Sequence, residues 1–118
     1  MNDQTQLLHI LTVQKIDQLG EGVLKEILDE FYDYSPKMIE QMRIAVAQGN
    51  TEDLRQAAHS LKGSGLNIGA QAFSAVCMEL EKLAKLGDLA TAPPLIEQAQ
   101  ELYVQTRAAF QKLLNPQG

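Results

Sequence analysis

The sequence has no tryptophan, only three phenylalanines and three tyrosines, one cysteine and two histidines in 118 residues. A single cysteine, Cys77, excludes an intrachain disulfide, and one Cys with two His excludes a Cys2His2 zinc site. Basic residues are also short, ten Lys and Arg against fifteen Asp and Glu, for a formal net charge of −5. That balance argues against non-specific nucleic-acid binding, which needs cations to displace phosphate counterions. No apolar run approaches the roughly 20 residues that span a bilayer. The N-terminal run Leu7-Leu8-His9-Ile10-Leu11 is short and has no basic region ahead of it, unlike a signal peptide. Nor is there a Gly-rich phosphate loop of the kind that holds ATP. A soluble, cytoplasmic protein with no membrane insertion and no nucleic-acid partner is therefore expected.

What is present is Leu, Ile, Val, Ala and Met, an inventory that suits helices better than sheets. Apolar residues make up 45% of the chain, an ordinary globular share. They recur at three- and four-residue steps: Val23, Leu24, Ile27, Leu28, Phe31 and Tyr34; Met38, Met42, Ala45 and Val46; Leu54, Ala57, Ala58, Leu61 and Ile68. The pattern continues in Phe73, Val76, Cys77, Leu80, Leu83 and Ala84, and then in Leu95, Ala99, Leu102, Thr106, Ala109, Phe110 and Leu113. Each set is one stripe of an amphipathic helix. Punctuation suggests where they begin and end. Ser35-Pro36 reads as a helix start, Gly49 as an end, Asn50 or Thr51 as the next cap, and Asn67-Ile68-Gly69 as another end in which Gly69 is free to take positive φ. Gly87-Asp88 closes a further helix and Pro93-Pro94 opens the last. Gly20 and Gly22 set off a short helix at roughly 12–19.

One or two short N-terminal segments and five longer helices are expected, joined by tight loops that force sequential helices to pack antiparallel. The expected fold is all-α: an antiparallel up-and-down four-helix bundle with one or two accessory helices. It forms a single domain with its core over about 12–115 and a frayed tail at 115–118.

The stretch Ala57-Ala58-His59-Ser60-Leu61-Lys62-Gly63-Ser64-Gly65-Leu66 holds two glycines inside a helical pattern. Each costs roughly 1 kcal/mol relative to Ala in a helix interior. At about 100° per residue, with Leu54 at zero, Ala58, Leu61, Gly65 and Ile68 fall within roughly 40° of the core direction. His59 falls near roughly 140°, Lys62 near roughly 80° and Gly63 near roughly 180°. His59 thus points away from the core, with Arg55 one turn before it and Lys62 and Gly63 one turn after. Gly65 admits a neighbouring helix; Gly63 leaves an open approach to the imidazole. A neutral imidazole has one nucleophilic ring nitrogen and forms covalent intermediates. A phosphorylated ring gains negative charge that Lys62 and Arg55 are placed to offset. Leu66, seven residues on and on the same face, suits a docking surface that excludes water. Ser60 and Ser64 flank the site and can bond either a phosphoryl group or a helix carbonyl.

The string His-Ser-Leu-Lys-Gly-Ser, continuing to Asn-Ile-Gly-Ala, resembles the signature of the histidine-containing phosphotransfer domains of multistep His–Asp phosphorelays. Phe31 with Pro36, Gln48-Gly49-Asn50, and Cys77-Met78-Glu79-Leu80-Glu81 resemble the family's framework, over roughly residues 12–115. The resemblance implies a bundle with an exposed acceptor histidine, His59, a charge partner, Lys62, and a small neighbour, Gly63. It implies a relay intermediate, not an enzyme with its own ATP site. Such a protein takes phosphate from the aspartate of one receiver domain and passes it to another. Its expected partners are receiver domains and a hybrid sensor histidine kinase. It would have no cofactor of its own, the receiver carrying the Mg²⁺. Some members have Gln at the position matching Glu81; the acid here can orient the ring N–H and would repel a phosphoryl group.

Three other readings compete with this one. A non-phosphorylated helical adaptor would bind receiver or kinase domains without needing an exposed imidazole. A detached piece of a hybrid kinase is another, although the Met1 start and polar tail suit a stand-alone protein; a monomer is expected. A metal-binding bundle lacks the paired Glu-x-x-His motifs it would need. His9 is expected to be structural or solvated, Cys77 a buried thiol, and the methionines core filling.

Overall fold

The apolar stripes fold into five helices: α1 (Ile10–Asp17), α2 (Val23–Ala47), α3 (Thr51–Asn67), α4 (Gln71–Leu86) and α5 (Ala92–Leu114). The computed structural model describes residues 6–20 and 22–115; the expected fraying at 116–118 lies outside them. Helices α2 to α5 form an antiparallel up-and-down bundle in which α2 packs on α3, α3 on α4, α4 on α5, and α5 back on α2. Its core holds Leu28, Phe31, Ile39, Met42, Leu54, Leu61, Phe73, Leu80, Ile96 and Phe110. Most are stripe residues; Ile39 and Ile96 take the core places expected of their neighbours Met38 and Leu95, which are only partly buried, and Tyr34 and Leu113 at the stripe edges are exposed. Among the described methionines Met42 is buried and Met38 partly buried, whereas Met78 is exposed and fills no core. Among the described residues no helix is long and apolar enough to cross a membrane.

Short turns enforce the antiparallel order. Gly49 adopts φ +69° after α2, and the Asn50 N–H then reaches back to the Ala45 carbonyl at 2.8 Å, closing the helix end in a Schellman turn. Asn50 starts α3 at once, its side-chain oxygen accepting the Asp53 N–H at 3.0 Å. Gly69 repeats the device after α3, at φ +79°, with the Ala70 N–H on the Gly65 carbonyl at 2.8 Å. The accessory helix α1 lies over this second turn, where the His9 N–H donates to the Gly69 carbonyl at 2.6 Å. It begins two residues before the expected 12–19 because His9 caps it, Nδ1 lying 3.4 Å from the Thr12 amide nitrogen and 2.8 Å from the Thr12 hydroxyl.

The expected helix start at Ser35-Pro36 is not there. Helix α2 runs through Pro36, so the bundle has four long helices rather than five. Proline removes one helical N–H and orphans the carbonyl four residues earlier, that of Tyr32. The fold supplies another donor: the Tyr103 hydroxyl of α5 donates to the Tyr32 carbonyl at 3.2 Å. Arg107, one turn on, lies 4.4 Å over the Tyr32 ring. Phe31 and Ile39 are buried on either side of the proline, so packing carries the helix across it.

Candidate functional site

Helix α3 presents His59 to solvent, its side chain 60% exposed, and α4 places Glu81 beneath it, 6% exposed. His59 Nδ1 lies 2.9 Å from Glu81 Oε2. Lys62 Nζ donates to the other carboxylate oxygen, Oε1, at 2.8 Å. Lys85 stands one turn along α4 with Nζ 3.7 Å from Oε2. One buried carboxylate thus gathers the imidazole and two ammonium groups. The Lys62 hydrogen bond, aided by that of His59, holds the Glu81 carboxyl down at about 2 against the opposing effect of burial. An ionised carboxylate only accepts, so Nδ1 carries the ring proton in this contact and the neutral ring's lone pair sits on Nε2.

The glycines explain how Glu81 comes to be there. A Cβ on Gly65 would collide with the Ser74 hydroxyl and lie 3.1 Å from the Phe73 ring. Its absence lets the start of α4 close onto α3, and Ser74 then donates to the Lys62 carbonyl at 3.1 Å. Ser74 and Glu81 are seven residues apart, two turns of one helix face, so the register set at Ser74 brings Glu81 under His59 and Lys62. Gly63 has open space where a Cβ would stand, which leaves the approach to His59 bare. Leu66 is 55% exposed.

Three sequence-derived site residues are placed differently. Arg55 turns to Glu52, with Nε–Oε1 at 2.9 Å and a second guanidinium nitrogen on Oε2 at 2.6 Å. A carboxylate three residues away on the same face captures the guanidinium, and its carboxyl falls to about 2 through that Arg55 hydrogen bond. The pair largely cancels the charge expected to face the imidazole. Ser64 borders a cleft between α2 and α3 with Phe31 and Tyr34, and Ser60 faces another beside Tyr34 and Met38. Both look toward α2, away from the Glu81 side. Cys77 is buried, and burial pushes its thiol up to about 12, as expected of an inert core residue.

Glu81, which the resemblance offered as a group able to orient the ring N–H, is the centre of the cluster; Ser74 and Lys85 were missed. The available signal was a carboxylate four residues after Cys77 and three before Ala84, inside an apolar stripe, where a charge is kept only if paired.

A family model described as the Hpt domain matches residues 26–112. The chain belongs to the Hpt domain family. The domain is 28% identical over 109 residues to the phosphorelay protein LuxU of Vibrio cholerae serotype O1, covering 86% of this chain and 93% of LuxU. The crystal structure of histidine-containing phosphotransfer protein B from Pseudomonas aeruginosa superposes with a TM-score of 0.84 at 31% identity, over 90% of this chain and 92% of that one. A phosphotransfer protein from Medicago truncatula shares the fold at 22% identity, TM-score 0.83, over 95% of this chain and 80% of that one.

Proposed function

We propose that this Hpt domain is a phosphorelay intermediate that takes a phosphoryl group on His59 from a receiver-domain aspartate and returns it to the aspartate of another receiver. The observation that carries this reading is the held imidazole: Nδ1 engaged by buried Glu81 at 2.9 Å, the rest of the ring open to solvent. Hydrogen bonding at Nδ1 fixes the tautomer, so Nε2 is the nucleophile. It attacks phosphorus, the P–O bond to the aspartate breaks, and the carboxylate leaves with its electron pair. Phosphoryl transfer asks the protein mainly for positioning and charge. Glu81 positions the ring and Lys62, on the same flank, offsets phosphoryl charge. The absent side chain at Gly63 admits the receiver, and Leu66 offers it an apolar contact. The receiver is the source of the aspartate and of the Mg²⁺ that neutralises its phosphoryl oxygens. A hybrid sensor histidine kinase is the expected origin of the phosphate, the carrier itself acting as a cytoplasmic monomer.

The test is His59→Gln incubated with a radiolabelled phospho-receiver. The variant should keep the helical circular dichroism of the wild type and take up no acid-labile label. Label on the folded variant overturns the assignment of His59.

A further inference from the structure

A carboxylate beside a group that must carry a phosphoryl anion looks counterproductive, since like charges repel. The geometry points to a compensating use. Glu81 is buried, its two oxygens already divided between the His59 ring and Lys62, with Lys85 at 3.7 Å. Resting on the reading of His59 as acceptor, we propose that Glu81 keeps the Nδ1 proton on the ring through the whole transfer cycle, so that the phosphorylated ring is held as a phosphoimidazolium.

The balance of the step explains why that matters. The neutral ring, protonated at Nδ1, attacks through the Nε2 lone pair; the N–P bond forms, the P–O bond to aspartate breaks, and the ring becomes positive with its Nδ1 proton in place. On donation the acceptor carboxylate attacks phosphorus, and the N–P electron pair returns to Nε2. The leaving group is then a neutral imidazole that still bears Nδ1–H. No proton is exchanged with water in either direction. If the phosphorylated ring lost that proton, the leaving group would be an imidazolide anion, a far poorer one, and the phosphate would be stranded.

The surrounding charges favour retention. Glu81 of α4 meets the ring, and Lys62 of α3 and Lys85 of α4 gather on that carboxylate, while Arg55, one turn back on α3, is tied to Glu52. A phosphoryl group adds about −2 at neutral pH. With the ring protonated, the imidazolium and the two lysines match the carboxylate and the phosphoryl group; loss of the proton leaves the cluster negative. The lysines also shield the phosphoryl group from Glu81. Glu81 acts through His59 and is therefore a positioning residue.

The experiment is a pH titration of the phosphorylated protein, charged with phosphoramidate, following the ¹⁵N signal of His59 Nδ1 by NMR. The folded wild type should hold the Nδ1 proton to a pH about 1–2 units above that of the same phosphorylated protein unfolded in urea, the range expected for an opposite charge in contact. Glu81→Gln should fall back toward the unfolded value, and its transfer to a receiver should decline roughly tenfold for each unit lost on the alkaline side. A folded wild-type midpoint equal to the unfolded one, or a Glu81→Gln midpoint equal to wild type, overturns the inference and leaves His59 as acceptor. Failure of His59 to take any label overturns both readings. The wild-type comparison alone decides the matter should the variant not fold.

Discussion

At the scale of single residues, Gly63 and Gly65 make opposite predictions although they are two positions apart. Both sit inside α3, where glycine is roughly 1 kcal/mol worse than alanine. At Gly63 a methyl group meets open space, so Gly63→Ala should raise stability by about 0.5–1 kcal/mol through that propensity difference. The same methyl stands one turn from His59 on its solvent side, so phosphotransfer should slow even as the fold gains, and Gly63→Leu should slow it further. At Gly65 the methyl overlaps the Ser74 hydroxyl, which is buried and bonded to the Lys62 carbonyl. Gly65→Ala should therefore cost about 1–3 kcal/mol, as overpacking does. It should also loosen the register that holds Glu81 under His59. Urea denaturation of the two variants gives the signs; equal signs would show that the α3–α4 approach is not set at Gly65.

At the scale of elements, α2 depends on α5 at one atom. The Tyr32 carbonyl lost its helical partner to Pro36 and is satisfied by the Tyr103 hydroxyl. Tyr103→Phe keeps the ring, 5.7 Å from that of Phe31, and removes the hydroxyl, which donates to the Tyr32 carbonyl and accepts a long 3.5 Å contact from Arg107. A buried acceptor left unpaired costs about 1–3 kcal/mol; this carbonyl is part-buried, so chemical denaturation should show a loss at the low end of that range. Hydrogen exchange should rise locally around Pro36, while Tyr103→Phe in a Pro36→Ala background should cost less, since alanine restores the helical donor. This element also shows where sequence reading stops. The stripes and glycine turns identified the bundle, and helical projection put His59 outside and Gly65 inside, because those signals are local and periodic. Pro36 looks like a boundary in the sequence because its remedy comes from Tyr103, far along the chain. Arg55 and Ser64 were misplaced for related reasons. Projection gives direction around one helix, but neither the competing carboxylate of Glu52 nor the position of α2. Glu81 came from the resemblance alone, because its place under His59 is set by the α3–α4 register, which no single-helix pattern contains.

At the scale of the molecule, the acidic residues respond unequally to pH. Glu81, held at about 2 chiefly by Lys62, Glu52, held at about 2 by Arg55, and Glu97, lowered by Arg43, all titrate below their ordinary value of 4.5 in the fold. The unfolded chain protonates these groups first as pH falls, so it binds more protons than the native state between about 4.5 and about 2. Stability contributed by such groups is present above 4.5 and is lost as pH drops through that window. The three pairs differ in exposure. Glu52 and Glu97 lie on the surface with side chains 57% and 63% exposed, whereas Glu81 is buried. Added salt screens surface pairs and leaves buried ones largely intact. Urea midpoints measured from pH 7 to pH 2.5 should therefore be flat down to about 4.5 and then fall. In high salt the fall should shrink without vanishing. Glu81→Gln should remove most of what survives the salt, because its amide has no proton to gain. The two lysines it leaves behind reach solvent and can rehydrate, so its cost at pH 7 should be modest. An acid slope that high salt abolishes, or that Glu81→Gln leaves unchanged, would place the acid sensitivity on the surface pairs and not on the carboxylate that orients His59.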